Sequence, residues 1–354
     1  MTSPHKALIA NASRSADLTT RPLPALRADY LLIKTVSVAL NPTDWKHVRD
    51  GLAPGTTVGC DYAGIVEAVG PKVVKRFAKG DHVFGFAQGC NVMQKEDGAF
   101  AEYMVAKGDV QWRKPENVSF EEAATLGIGI ATVVQSLYQG LGLEWPKAGG
   151  EEEEVQGSKG VILIYGGSTA TGYLAVQCAK LSGYTVIATS SPHNFEYVRA
   201  AGADYVLDYK DPGAVGEVRK ITDGKLKLVL DTISLEQSVK FCEAALSEEG
   251  GKYHSILSIT PGRKDVQYSF SLAYTIIAED MHRFGGEWPA RPADKAYMES
   301  FGPLFESLLA QGKIKPIKPR VGERGLNGIL DGLKQMEEKK VSGEKLVYNI
   351  ADTA

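Results

Sequence analysis

Up to about residue 125, short β-branched runs alternate with Gly and Pro. Residues 30–40 (YLLIKTVSVAL) alternate apolar and polar positions as a half-buried strand does, and 64–69, 81–86 and 100–105 repeat this in shorter form. The pattern predicts a β-rich domain with short irregular loops. At Ser119 the texture changes. Ser119 precedes Phe120, Glu121 and Glu122, an N-cap followed by acid in the first turn, and predicts a helix through Ala123 and Ala124. The apolar stretch 131–141 predicts another. Trp145-Pro146-Lys147-Ala148-Gly149-Gly150 then breaks the pattern, and the charge run Glu151 to Glu154 predicts a solvated loop with no function.

From 161 to 258, β-rich runs at 161–165, 184–189, 205–208, 228–231 and 253–257 are interleaved, in their early part, with amphipathic segments at 173–181 and 195–201. That alternation predicts parallel strands joined by crossover helices. Helical stretches at 302–311 and 326–340 and a strand at 345–350 close the chain.

Composition narrows the class. A chain of 354 residues is too long for one ordinary core and implies two domains. Net charge −3, with 23% charged residues, gives no electrostatic reason to expect nucleic acid or an anionic membrane. No apolar run reaches the roughly 18–20 residues of a membrane helix. The first residues lack the apolar core of a secretory signal. A cytoplasmic enzyme is expected. The four cysteines, Cys60, Cys90, Cys178 and Cys242, form no CxxC pair and read as isolated thiols in a reducing compartment.

The chemistry begins where residues 161–165 run into Gly166-Gly167-Ser168-Thr169-Ala170-Thr171-Gly172 and then a helix. Strand, Gly-rich turn and helix bring amides to a pyrophosphate. Gly166 permits the tight turn and Gly172 close helix–strand packing. Thr169 stands where GxGxxG would have its second glycine, so the motif alone is weak. Its context strengthens it. The next strand ends at Ser190-Ser191-Pro192-His193-Asn194, where an NAD site would place an acid. Hydroxyls, an amide and an imidazole suit a 2′-phosphate instead, and Lys210 after Tyr209 adds charge. NADP is the expected cofactor. His193 is equally open to capping the following helix.

Four ordered motifs now carry a resemblance: Asn41-Pro42-Thr43-Asp44-Trp45-Lys46, Gly59-Cys60-Asp61-Tyr62-Ala63-Gly64, Gly80-Asp81-His82-Val83-Phe84-Gly85 and Gly98-Ala99-Phe100-Ala101-Glu102-Tyr103. Together with the nucleotide half they resemble the medium-chain dehydrogenase/reductase superfamily. The resemblance implies an α/β protein: a GroES-like β domain (residues 1–127 and 290–354) interrupted by a Rossmann doubly wound parallel sheet (128–289), with the active cleft between them. Within the superfamily the chain looks most like the trans-acting enoyl reductases of fungal polyketide synthases, of the lovastatin-pathway type. The residues that carry this are Tyr165 to Thr171, Ala188 to Asn194 and Ser342-Gly343-Glu344-Lys345-Leu346-Val347. By that resemblance Thr43, Asp44, Trp45, Lys46, Ser168, Thr169, Ala170, Thr171, Ser191, Pro192, His193, Asn194, Tyr209, Leu257, Ser258, Val341 and Ser342 line the cofactor. Leu126, Gly127, Ile128, Gly129, Ile130, Ala131, Thr132 and Val133, with Thr275, Ile276, Ile277, Ala278 and Glu279, line the acyl pocket. The implied partner is a polyketide synthase, or a hybrid with a peptide synthetase, holding the carrier-bound substrate; the enzyme is expected to be a monomer.

Zinc members carry Cys near Pro42–Thr43 and a His-Glu pair at Cys60-Asp61. Here a set of three or four zinc ligands is missing, so no metal is expected. Enoyl reduction needs hydride at Cβ, support for the enolate and a proton at Cα. Lys46, in a loop-like segment, is the catalytic candidate: it could orient the cofactor, donate to the thioester oxygen or relay a proton, though it also reads as an exposed lysine. Tyr62 is a second donor candidate. Two alternatives stay open: a quinone or enone reductase on free substrates, and a catalytically idle NADPH-binding protein.

Overall fold

The computed structural model describes residues 4–51, 53–147, 158–259, 261–283 and 285–354. The glutamate run lies outside them. The chain divides into two compact units, one comprising Met1–Ile128, Tyr274–Gln311 and Pro316–Ala354, the other Gly129–Ala273 and Gly312–Lys315.

The first unit is built on a seven-stranded sheet. Its path runs Pro319–Gly322, Lys345–Asn349, Tyr30–Ala39, Asp61–Val69, His82–Phe86, Trp112–Arg113, and Tyr103–Lys107 also pairs with Tyr30–Ala39. The alternation at residues 30–40 therefore became the strand that most others lean on. It buries Leu31, Ile33 and Val38 completely, while Lys34 and Val36 point away from that core. The C-terminal strand returns beside it, and Leu40 N donates to Leu346 O at 2.9 Å. One expectation fails here. The segment after Asn41, expected to be a loop, is an α-helix, Pro42–Asp50. The reason is local: Pro42 fits the first helical turn, Asp44 reaches back so that Asn41 N donates to its Oδ2 at 2.7 Å, and Gly51 ends the helix at φ 64°. The Ser119 signal did form its cap: Glu122 N donates to Ser119 Oγ at 3.1 Å, and Ser119 N donates back to the Glu122 carboxylate at 2.9 Å.

The second unit is a six-stranded, all-parallel sheet. Numbered by position in the chain, its strands lie in the order third, second, first, fourth, fifth, sixth: Tyr205–Asp208, Thr185–Ser190, Val161–Tyr165, Leu228–Asp231, Gly251–Ser255, Val266–Phe270. This is the doubly wound Rossmann order, with its switch point between first and fourth strands. Helices Ala170–Leu181, Phe195–Ala200, Ala214–Ile221 and Glu236–Ala245 make the crossovers. The sixth strand was not anticipated; it is a short, half-buried run in which Val266, Tyr268 and Phe270 alternate with Gln267 and Ser269. The predicted helix at 131–141 begins at Gly127 and turns π-helical over Val134–Gly140, where an added Cβ on Gly140 would meet His254 Nδ1 at 2.2 Å.

The chain returns to the first unit at Tyr274, not near residue 290. Residues 274–289 are tied there by polar contacts: Tyr274 to Thr43, Glu279 to Tyr30 and Lys107, Arg283 to His47. Among the described residues no helix is long and apolar enough to cross a membrane.

Candidate active site

In the second unit the first strand ends at Gly166, held at φ 88°. A Cβ there would lie 2.5 Å from Thr232 Oγ1. Gly172 packs its Cα against the same turn: a Cβ would meet Gly166 O at 2.1 Å. The two glycines thus do the separate work the motif assigned them. Thr169, in place of the middle glycine, caps the helix, accepting from Gly172 N at 2.9 Å. Its Oγ1 also lies 3.0 Å from Thr232 Oγ1, which donates to Tyr165 O at 2.8 Å and so links the turn to the end of the fourth strand. Ser168, Thr169, Ala170 and Thr171 stay partly accessible at a twelve-residue helix's N-terminus. Amides and dipole there favour an anion.

The second strand ends in Ser190, and no carboxylate follows. Ser191, Pro192, His193 and Asn194 form a single 3₁₀ turn, with Pro192 and His193 exposed. Asn194, not His193, occupies the cap position of the next helix. Ser191 Oγ donates to Tyr209 OH at 3.4 Å, and Lys210 Nζ sits 5.7 Å from the Tyr209 ring centre. Three predicted residues from two strand ends therefore meet. Leu257 and Ser258 are exposed beyond the fifth strand, where Ser234 Oγ accepts from Ile256 N at 3.1 Å. These residues fit a dinucleotide: a backbone cradle, no acid within 190–194, hydroxyls and one cation, Lys210, whose N donates to Asp208 Oδ1 at 3.0 Å.

In the first unit, helix Pro42–Asp50 presents Thr43, Trp45 and Lys46 as partly accessible side chains, whereas Asp44 is buried on its capping bond. Burial, with Asp61 nearby, raises the Asp44 carboxyl to about 7. Burial also lowers the Lys46 ammonium, and Arg49 adds to this. Tyr62 is not a donor to ligand: it is fully buried and its hydroxyl donates to Gln111 Oε1 at 2.8 Å.

The sequence did not reveal a chain of contacts behind Thr43. Thr43 Oγ1 is 2.7 Å from Tyr274 OH, which lies 3.6 Å from Cys60 Sγ. Arg283 stacks on the Tyr274 ring at 3.7 Å and donates from Nη1 to His47 Nε2 at 2.7 Å. A guanidinium only donates, so Nε2 accepts, His47 is neutral and its Nδ1–H donates to Thr43 O at 2.7 Å. Burial, then Arg283, depresses the imidazole to about 4. His47 one helical turn beyond Thr43 was a readable signal. Arg283, 236 residues from His47, was not.

Asp61, in the stretch where zinc members carry a His-Glu pair, pairs with Lys345 in the interior. Among the described residues no three His, Cys, Asp or Glu side chains gather as a metal site.

The two apolar segments behave unevenly. Leu126, Ile130, Ala131 and Val133 are fully buried. A Cβ on Gly127 would strike Gly85 O at 2.0 Å, and one on Gly129 would meet Leu174 Cδ1 at 2.9 Å, so both glycines serve close packing within their own units. Thr132 and Ile128 remain partly accessible. In the second segment Ile276 and Ile277 are buried, Ala278 is held at φ 56°, and Thr275 donates to Asp294. Glu279 is no apolar lining: it accepts from Tyr30 OH at 2.7 Å and pairs with Lys107 at 2.9 Å. Val341 packs on the first unit's core and Ser342 is exposed.

Residues 27–116 match the family model described as alcohol dehydrogenase GroES-like domain, and 170–276 that described as zinc-binding dehydrogenase. The trans-enoyl reductase resD of Aspergillus sclerotiorum is 45% identical, covering 98% of this chain and 100% of that protein. The trans-enoyl reductase TOXD of Cochliobolus carbonum is 53% identical over 77% of this chain and 91% of that one. In fold, the crystal structure of CurK enoyl reductase is similar at TM-score 0.73 and 20% identity, over 98% of this chain and 99% of that one.

Proposed function

Because the chain belongs to the trans-enoyl reductases of the medium-chain dehydrogenase/reductase superfamily, we propose that it uses NADPH to reduce the α,β-unsaturated thioester of a carrier-bound polyketide intermediate, in trans to the synthase. The observation that carries the cofactor choice is the Ser190–Asn194 turn, acid-free and joined by Tyr209 and Lys210. Ser168 to Thr171 would hold the pyrophosphate, and Ser191, His193 and Lys210 the 2′-phosphate. Leu257, Ser258, Val341, Ser342 and Trp45 would border the cofactor elsewhere.

Bound NADPH supplies a hydride to Cβ. The protein's part is to orient the reactants and to answer the charge that collects on the thioester oxygen. Lys46 and Thr43 are the donors assigned to this, on a helix whose start is capped through Asp44. The imidazole of His47 is neutral and donates to a backbone carbonyl, so it orients Thr43 rather than acting as an acid. Of the residues expected to line the acyl pocket, Ile128, partly accessible in the first unit, would meet the acyl chain.

Co-incubation with candidate synthases, reading product saturation by mass spectrometry, tests this. A product gaining two hydrogens only with NADPH and this protein is expected. NADPH consumption with quinones but not with enoyl thioesters would favour a small-molecule reductase. Tight NADPH binding with no turnover on any acceptor would mark an idle binder. The protein is further proposed to act as a cytoplasmic monomer; sedimentation at twice the chain mass would refute the latter.

A further inference from the structure

Asp61 opens the strand Asp61–Val69 and has no solvent exposure. Its two oxygens reach three separate stretches of chain. Oδ1 accepts from Ile128 N at 2.6 Å. Oδ2 accepts from Asn41 Nδ2 at 2.9 Å and from Lys345 Nζ. Lys345, itself 3% exposed, also donates to Thr125 O at 3.0 Å. These are the stretches that bear the first unit's proposed ligand-facing residues. Asn41 caps the helix holding Thr43 and Lys46. Thr125 and Ile128 flank the buried Leu126 and Gly127, and Ile128 is itself partly accessible. Lys345 follows Val341 and Ser342 and begins the returning strand.

A fully buried ion pair is a poor device for stability, because stripping both charges of water offsets their attraction and apolar replacements are often as stable. What it supplies is direction. A carboxylate accepts along fixed lone pairs and an ammonium has three donors, so four groups from three stretches are set relative to one point. The neighbourhood leaves no slack: a Cβ on Gly127 would sit 2.6 Å from Asp61 Oδ1.

The geometry points to Asp61 and Lys345 as positioning residues for enoyl reduction: their buried pair fixes where Thr43 and Lys46, the 126–128 stretch and Val341–Ser342 stand relative to one another. Neither side chain touches ligand. The inference rests on the proposed assignment of those stretches to the site.

Three variants test it: Lys345→Met, the double variant Asp61→Leu with Lys345→Met, and Asp61→Glu. Each is assayed for melting temperature, for NADPH affinity by fluorescence titration, and for kcat and KM on an N-acetylcysteamine enoyl thioester. Lys345→Met leaves a charge buried without its partner and should lose both stability and turnover. The double variant should recover most of the lost melting temperature, yet keep kcat at least tenfold below wild type, with NADPH bound several-fold more weakly. Asp61→Glu keeps the charge but displaces its partners by one methylene, and should lower kcat at least fivefold. A purely structural pair predicts otherwise: kcat returns with stability. A folded double variant, or a folded Asp61→Glu protein, with wild-type kcat and NADPH affinity would overturn the proposal; if the double variant does not fold, Asp61→Glu decides. A wild-type protein that binds NADPH but leaves the thioester untouched would count against the proposed reaction instead. The titration still reads positioning in that case.

Discussion

The two units build their candidate sites from different materials. In the Rossmann unit the site is backbone: a glycine at φ 88°, a second glycine packed on its carbonyl, a helix N-terminus capped by Thr169, and hydroxyls left accessible at strand ends. In the GroES-like unit it is a buried polar network, where Thr43, His47, Tyr274 and Arg283 meet from distant parts of the chain, as do Asn41, Asp61 and Lys345. A phosphate cradle needs amides at one place, which a local motif can provide. Stabilising a developing charge on a substrate needs side chains aimed in three dimensions, which only assembly provides.

If this contrast is right, the largest effect should come from a single methyl-sized intrusion in the backbone site. Gly172→Ala places carbon against Gly166 O and should cost about 1–3 kcal/mol by overpacking. NADPH affinity should collapse with it. Thermal melts and cofactor titration check this, and wild-type affinity would refute the cradle. Next in size is cofactor choice. Ser191→Asp should reverse the preference for NADPH over NADH, each lost charge-assisted contact being worth roughly 1.5–3 kcal/mol. Equal affinity of the wild type for both cofactors would remove the phosphate site.

Gly129→Leu sharpens the boundary between packing and pocket. With Leu174 Cδ1 2.9 Å from the added Cβ, the expected result is a lower melting point, by about 1–3 kcal/mol, with short and long thioesters slowed alike. Loss of long substrates alone, at unchanged stability, would restore Gly129 to the acyl pocket.

Acid should separate the units. His254, depressed to about 4 by burial, takes up its proton only on unfolding between 6.5 and 4, so the Rossmann unit loses up to about 1.4 kcal/mol per pH unit as pH falls through that range. In the GroES-like unit His47 and His5, both lowered, act in the same direction. Asp44 and Asp97, raised to about 7 and about 6, oppose them, because the folded state holds those protons more firmly and gains stability as pH falls. Hydrogen exchange, corrected for intrinsic rates, should show protection falling from pH 7 to 5 in Val161–Tyr165 and Leu228–Asp231 more than in Tyr30–Ala39. Equal losses would break the comparison. The smallest change in stability is expected from Lys46→Ser, within about 0.5 kcal/mol as for a partly exposed position. Turnover or cofactor affinity should fall markedly; unchanged kinetics would exclude Lys46 from the site.

These expectations trace what was legible. Parallel strands, crossover helices and the Gly166–Gly172 turn were readable because each depends on neighbours within a few residues. The helix at Pro42–Asp50 was read as loop-like, although Pro42, Asp44 and Gly51 carry its start and stop signals. The sixth Rossmann strand was missed although Val266, Tyr268 and Phe270 alternate with Gln267 and Ser269: the run is five residues long and only half-buried, and its parallel partner Gly251–Ser255 completes it. Tyr62 read as a donor only until its hydroxyl was seen spent on Gln111.

By itself, then, the sequence determined the parallel strands with their crossover helices and the tight Gly166–Gly172 turn, since local propensity and hydrophobic period specify such elements. The tertiary structure decided the rest: that residues 274–289 return to the first unit, that His47 is neutral with its proton on Nδ1, and that Asp61 joins Asn41, Ile128 and Lys345. Asp61 and Lys345 stand 284 positions apart, and no local preference of either residue encodes the other. A side chain's chemistry is written in the sequence, but its partner, its burial and hence its charge state belong to the fold.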